Sequence, residues 1–240
     1  MDSASPRPYG RRFAAAAMVA GGVLYGVANA FYWLMFPDEV AETAGNVTVA
    51  GGNLGAWRVE TVLFTLAHLL LLPAMAGLVV ALGRSRPVVA TIGGFLVVPA
   101  LYLATVHLWH YNAFFGALAA AGVEPATARP VVDALDRDPF VITSFALWIL
   151  GWLVGLLVLA FGAWRARLVP VWVPLALTAG QVLDLLSASV APKLAVSVLM
   201  AAGLFGLSRA VSGRADARRT RADAATGPAD RQPTGAAPPR

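Results

Sequence analysis

Seven polar or ionisable side chains interrupt the long apolar runs of this 240-residue chain. They are Asn29, Glu60, His68, His107, His110, Gln181 and Asp184. Imidazole, carboxylate and amide groups can bind protons, metal ions or polar ligands, and all of them are costly to bury in an apolar environment. Each of these residues is therefore a candidate functional residue.

Helical spacing places some of these candidates together. Gln181 and Asp184 are three residues apart, as are His107 and His110, so each pair shares one face of a helix. Asn29, His68, His107, Gln181 and Asp184 are candidates for a polar pocket in the outer half of a membrane bundle. The favoured interpretation is that the same side chains form interhelical hydrogen bonds that fix the packing.

Asp184 is the acidic residue expected to lie deepest within an apolar span, and its expected partners are Gln181, Asn29 and His68. A metal or haem site is a third possibility, but His68 should lie roughly 10 Å below His110 by helix rise. Ligands of one ion must converge to about 2.0–2.2 Å from it. We therefore predict no metal site, no cofactor and no enzymatic activity.

The composition identifies the solvent of the chain. It has 58% hydrophobic and 13% charged residues and a mean hydropathy of +0.69, whereas soluble domains carry about 25% charged residues. Such a chain cannot cover itself with a water-compatible surface, so a lipid bilayer is its expected partner. The absence of cysteine excludes disulfides and thiolate metal sites.

Six apolar runs are each about long enough to cross a bilayer as a helix. Their approximate bounds are Phe13–Phe36, Val59–Leu82, Pro87–Ala121, Phe140–Trp164, Val169–Ser189 and Leu194–Val211. The third run is longer than a bilayer requires, and we expect it to leave the membrane near Trp109 and continue as an exterior helix or an interfacial segment. The fold class is therefore an all-α membrane protein, a bundle of six transmembrane helices.

The charges between these runs predict the orientation. With both termini in the cytoplasm, the cytoplasmic side holds 14 of the 18 Lys and Arg residues but only 4 of the 13 acidic ones. Its net charge is then +10, against −5 outside, as the positive-inside rule requires. We predict a multi-pass protein of a bacterial plasma membrane, with a cytoplasmic segment 1–12, a membrane domain 13–211 and a disordered basic tail 212–240. The basic side should contact anionic lipid headgroups rather than nucleic acid.

Two pairs of glycines have the four-residue spacing that lets helix backbones approach closely. They are Gly22 with Gly26 and Gly151 with Gly155. We expect both pairs to serve packing within the chain rather than a dimer contact.

Residues 161–187 contain a short basic turn, a Leu-x-Pro entry, a helix of small residues and a late Asp-x-x-Ser. This stretch, together with the six-span layout over about residues 10 to 211, resembles a group of bacterial six-span proteins of unknown function, the DUF4386-like type. The resemblance implies an integral membrane protein and transfers no site residues. The leading hypothesis for function is a structural or accessory role, and the alternative is a small transporter or sensor with an outward-facing polar pocket.

Overall fold

The computed structural model of the chain describes residues 8–37, 43–187 and 189–212, and every regular element within those residues is helical. The predicted tail, 212–240, lies almost wholly outside them, as does most of segment 1–12. The α-helices are α1 (Pro8–Met35), α2 (Asn46–Gly52), α3 (Leu54–Gly83), α4 (Pro87–Ala120), α5 (Pro125–Asp136), α6 (Pro139–Arg165), α7 (Trp172–Leu186) and α8 (Val190–Val211). A 3₁₀ turn, Thr43–Gly45, precedes α2.

Six of these helices form a closed ring in chain order. α1 packs on α3, α3 on α4, α4 on α6, α6 on α7, α7 on α8, and α8 returns to α1. Elements that follow one another in a chain usually lie side by side, which favours this arrangement. The main core, which includes Met18, Leu78 and Leu156, fills the centre of the ring.

Five of the described helices are long and apolar enough to cross a membrane, namely those over 10–35, Leu54–Gly83, Pro87–Ala120, Pro139–Arg165 and Val190–Val211. α7 is apolar but has only 15 residues, or about 22 Å at 1.5 Å per residue. It is shorter than the predicted run Val169–Ser189. α4 has 34 residues and continues as a helix beyond Trp109 to Ala120.

The glycine pairs lie where helices cross. A Cβ atom at Gly155 would be 2.7 Å from the backbone nitrogen of Val97, and one at Gly26 would be 2.9 Å from the carbonyl oxygen of Ser197. Only a residue without a side chain allows these approaches of α6 to α4 and of α1 to α8. Within the described chain, the pairs therefore serve intramolecular packing.

The arginine-rich connections lie at one end of the bundle. A Cβ at Gly77, late in α3, would meet Ala14 at the start of α1 and Val211 at the end of α8. A Cβ at Gly162, late in α6, would meet Leu82 and Val89. The turn with Arg84 and Arg86 and the turn with Arg165 and Arg167 therefore share this end, which we call the arginine end.

The opposite end carries a small second layer, the cap, made of the 3₁₀ turn, α2 and α5. Val47 and Ala50 of α2 and Ala128 and Val132 of α5 join a separate apolar cluster that includes Trp57. α5 lies between the predicted runs Pro87–Ala121 and Phe140–Trp164, and its helix was not predicted. Pro125 at the first helical position is the sequence signal for its start.

Candidate functional site

A cavity of about 230 Å³ lies inside the ring, towards the cap end, and all six ring helices contribute to its wall. We call it the central cavity. Its lining residues are Tyr25, Phe64, His68, Leu108, Trp148, Ile149, Trp152, Leu153, Gly180, Gln181, Asp184, Leu185, Val196 and Met200. Three of the five predicted pocket residues, His68, Gln181 and Asp184, line it.

His68 lies on α3 and is 2% exposed. Its Nδ1 lies 2.8 Å from the carbonyl oxygen of Phe64. A carbonyl can only accept, so Nδ1 is the donor, and in a neutral imidazole Nε2 keeps the lone pair. The rings of Tyr25, Trp148 and Trp152 surround His68, with centroids 5.8 to 6.4 Å from its own. The imidazole is thus a hydrogen-bond acceptor within an aromatic wall.

Gln181 lies on α7 and is 5% exposed. Within the described part of the chain, neither Oε1 nor Nε2 of this side chain has a hydrogen-bond partner. Leaving a buried polar group unsatisfied costs about 1–3 kcal/mol. Gln181 is therefore the polar residue of the cavity wall that the fold leaves uncompensated.

Asp184 is paired with a residue that the sequence reasoning missed. Lys193, in the first turn of α8, places Nζ 2.7 Å from Oδ1 of Asp184 and donates to its backbone carbonyl at 2.9 Å. The same ammonium lies 4.9 Å from the ring centroid of Trp33. The expected partners Gln181, Asn29 and His68 were wrong, because α7 ends at Leu186 and brings Asp184 level with the start of α8.

Asn29 contacts α8 and is not among the residues that line the central cavity. Its Nδ2 donates to Oγ of Ser197 at 2.7 Å and to the carbonyl oxygen of Lys193 at 3.1 Å. Ser197 Oγ itself donates to that carbonyl at 3.0 Å. This arrangement is an interhelical clamp between α1 and α8.

His107 and His110 line a different space of about 610 Å³, which lies between α4, α5 and α6. We call it the lateral groove. The His107 ring stacks on the Tyr111 ring, with centroids 4.8 Å apart. The Trp148 ring lies 5.3 Å from that of His107 and 6.4 Å from that of His68. Trp148 therefore separates the two histidines, and the predicted pocket residues fall in three places: the central cavity, the lateral groove and the contact of Asn29 with α8.

Glu60 is 3% exposed near the cap end of α3. Its Oε2 accepts from Nδ2 of Asn112 on α4 at 3.0 Å. Trp57 Nε1 donates to the carbonyl oxygen of Asn112 at 2.8 Å. This network joins α3 to α4 and lies apart from the central cavity.

The described residues contain no cluster of three or more His, Asp or Glu side chains able to hold a metal ion. The polar groups of the central cavity offer hydrogen bonds, with His68 accepting and the Gln181 amide able both to donate and to accept.

Large apolar side chains cover the outside of the ring, among them Phe95 at 77% exposure and Val198 at 69%. Exposed apolar surface on this scale is typical of a protein whose solvent is lipid. The fold and these surfaces define an all-helical protein with several helices able to cross a bilayer. Comparison with family models, curated proteins and solved structures finds no match to this chain. The resemblance of residues 161–187 to the DUF4386-like group stays a prediction.

Proposed function

We propose that all six ring helices span a bacterial plasma membrane and that both termini are cytoplasmic. The position of Arg84, Arg86, Arg165 and Arg167 at one end supports this orientation, because positive residues near span ends resist translocation. α7 is short for a span, but it packs between α6 and α8 as part of the ring. The cap, and the half of the ring that holds the central cavity, would then lie on the outer side.

The absence of cysteine makes this topology testable with single cysteines. Ser85→Cys, Ala126→Cys and Ser212→Cys are each exposed in turn to a membrane-impermeant thiol reagent applied to intact cells. We expect labelling of Ala126→Cys alone, and labelling of all three after the cells are opened. Labelling of Ser85→Cys from outside would refute the topology.

The function that the site supports best is binding of a small molecule in the outward-facing central cavity, as a carrier or a sensor. The observation that carries this proposal is the unpartnered Gln181 amide in the wall of a cavity to which six helices contribute. Groups that serve only to hold helices together would be expected to bond across the bundle, as Asn29 does. A buried polar group without a partner in the protein is expected where a bound ligand supplies its hydrogen bonds.

Accessibility of the cavity tests this function without knowledge of the ligand. Ile149 lines the cavity, whereas its neighbour Leu150 is 60% exposed on the outside of the ring. We expect a small, uncharged and water-soluble thiol reagent applied from outside to modify Ile149→Cys but not Leu150→Cys, since a thiol surrounded by lipid does not ionise to the reactive thiolate. An unreactive Ile149→Cys, or equal reaction at both positions, would reject an open cavity.

The second candidate is a structural or accessory role without a ligand. The hydrogen bond of Asn29 to Ser197 favours a structural role, because this buried polar group serves helix packing alone. Under this alternative the central cavity is a packing defect, and Ile149→Cys stays unmodified.

A further inference from the structure

The charges around the central cavity restrict its occupant, and the inference drawn from them rests on the proposed binding function. The described lining contains one carboxylate, that of Asp184, and neither Lys nor Arg. Lys193 already neutralises this carboxylate at 2.7 Å. A charged ligand would therefore enter a low-dielectric space without a free counter-ion, which is strongly unfavourable. The charge pattern favours a neutral ligand.

The shape of the cavity wall favours a flat ligand. Rings dominate one side of the cavity, where Tyr25 packs against Phe64 at 5.6 Å and against Trp152 at 6.0 Å between centroids. Trp148 extends this wall beside His68. Aromatic surfaces of this kind bind planar rings by offset stacking or edge-to-face contact. α8 contributes the apolar side chains of Val196 and Met200 to the lining.

The polar groups supply the pairing edge. The amide of Gln181 offers one acceptor and a two-hydrogen donor, none of which is used within the described residues. A ligand with an adjacent N–H and C=O can satisfy both atoms at once after rotation of the terminal amide towards the cavity. The lone pair on Nε2 of His68 can accept a further N–H.

The volume limits the size of the ligand. A protein cavity of about 150 Å³ accommodates benzene, and this cavity measures about 230 Å³. The additional volume leaves room for one small substituent on a single aromatic ring. We propose that the central cavity binds a neutral, single-ring aromatic molecule carrying a carboxamide or an equivalent N–H and C=O pair, held at its polar edge by Gln181.

Benzamide is the direct probe, measured by ligand-observed NMR titration of the full chain in lipid nanodiscs. Benzoate, benzylammonium and toluene have nearly the same shape but are anionic, cationic and apolar. We expect benzamide to bind at least about tenfold more tightly than each of the three, because each loses a hydrogen bond or adds an uncompensated charge. Ile149→Trp, which fills the cavity, should abolish the binding.

The matched variants are Gln181→Leu and Gln232→Leu, since the chain has two glutamines and Gln232 lies outside the described residues. We expect Gln181→Leu to weaken benzamide about tenfold and leave toluene unchanged, while Gln232→Leu changes neither. The proposal is overturned if toluene binds as tightly as benzamide, if benzamide does not bind, or if Gln181→Leu keeps the preference for benzamide. Modification of Ile149→Cys tests separately whether the cavity is open. A wrong ligand class can therefore be distinguished from a closed cavity.

Discussion

Lys193 closes the hairpin of α7 and α8 by placing its ammonium 2.7 Å from the carboxylate of Asp184. The lysine side chain is 12% exposed and the aspartate side chain 42%. The cation is therefore the more deeply buried partner, and it depends on the carboxylate for its neutralisation. The pair fixes the end of α7, the helix that carries Gln181 into the cavity wall.

Asp184→Asn should lower the free energy of unfolding in detergent by about 1–2 kcal/mol, because it removes the charge that compensates a buried ammonium. A double-mutant cycle with Lys193→Met measures the coupling between the two side chains. Asp133→Asn is the matched control, since Asp133 pairs with Arg137 at 3.8 Å on an exposed surface. That pair should contribute less than about 1 kcal/mol. A coupling no larger than the control value would contradict the role of Lys193.

Gln181→Leu should stabilise the ligand-free protein by about 1–2 kcal/mol, because it replaces an unsatisfied buried amide with an apolar group of similar size. Equilibrium unfolding in detergent without added ligand measures the change, and Gln232→Leu serves as the control. A lower stability for Gln181→Leu would show that the amide is already satisfied in the empty protein.

Asn29→Ala should destabilise the protein by about 1 kcal/mol, the scale of hydrogen bonds between membrane helices. Ser197→Ala should have a smaller effect, since Asn29 keeps its bond to the Lys193 carbonyl at 3.1 Å. Thermal unfolding in one detergent compares the two variants. Equal losses would mean that the serine hydroxyl, rather than the asparagine amide, joins α1 to α8.

Gly155→Ala should cost about 1–3 kcal/mol, because its new Cβ would lie 2.7 Å from the backbone nitrogen of Val97 and force α4 and α6 apart. Gly10→Ala is the control, since a Cβ there meets nothing within 4 Å. That change should be neutral or slightly stabilising, as alanine is the better helix former. Equal stability of the two variants would show that the close crossing of α4 and α6 does not contribute to the stability of the bundle.

Much of the helical layout follows from residue order alone. Apolar runs separated by Arg84–Arg86 and Arg165–Arg167 are enough to predict adjacent helices with a common arginine end. α5 was missed because its segment is too short and too polar for a membrane span, although Ala128 and Val132 have the i, i+4 spacing of a buried helical face. Its short amphipathic pattern is easily mistaken for a polar connection.

The site was less accessible to sequence reasoning. Depth estimates placed His68 and Gln181 in the same half of the bundle, and both line the central cavity. They could not reveal that Trp148 separates His68 from His107, since this depends on how α6 faces α4. Lys193 falls between the predicted runs Val169–Ser189 and Leu194–Val211, and its reach to Asp184 depends on where α7 ends. The residue at which a helix ends and the neighbour that a side chain faces both depend on tertiary packing, which hydrophobic periodicity does not encode.

The shortness of α7 has a consequence for the surrounding membrane under the six-span topology. Its length of about 22 Å falls short of a hydrocarbon core of about 30 Å. Leu185 and Leu186, at its last turn, are 66% and 81% exposed, so lipid would have to follow the helix inwards to cover them. The hydrophobic mismatch would thin the bilayer along this side of the protein. Such a local depression brings the water interface closer to the central cavity and favours partitioning into thinner membranes.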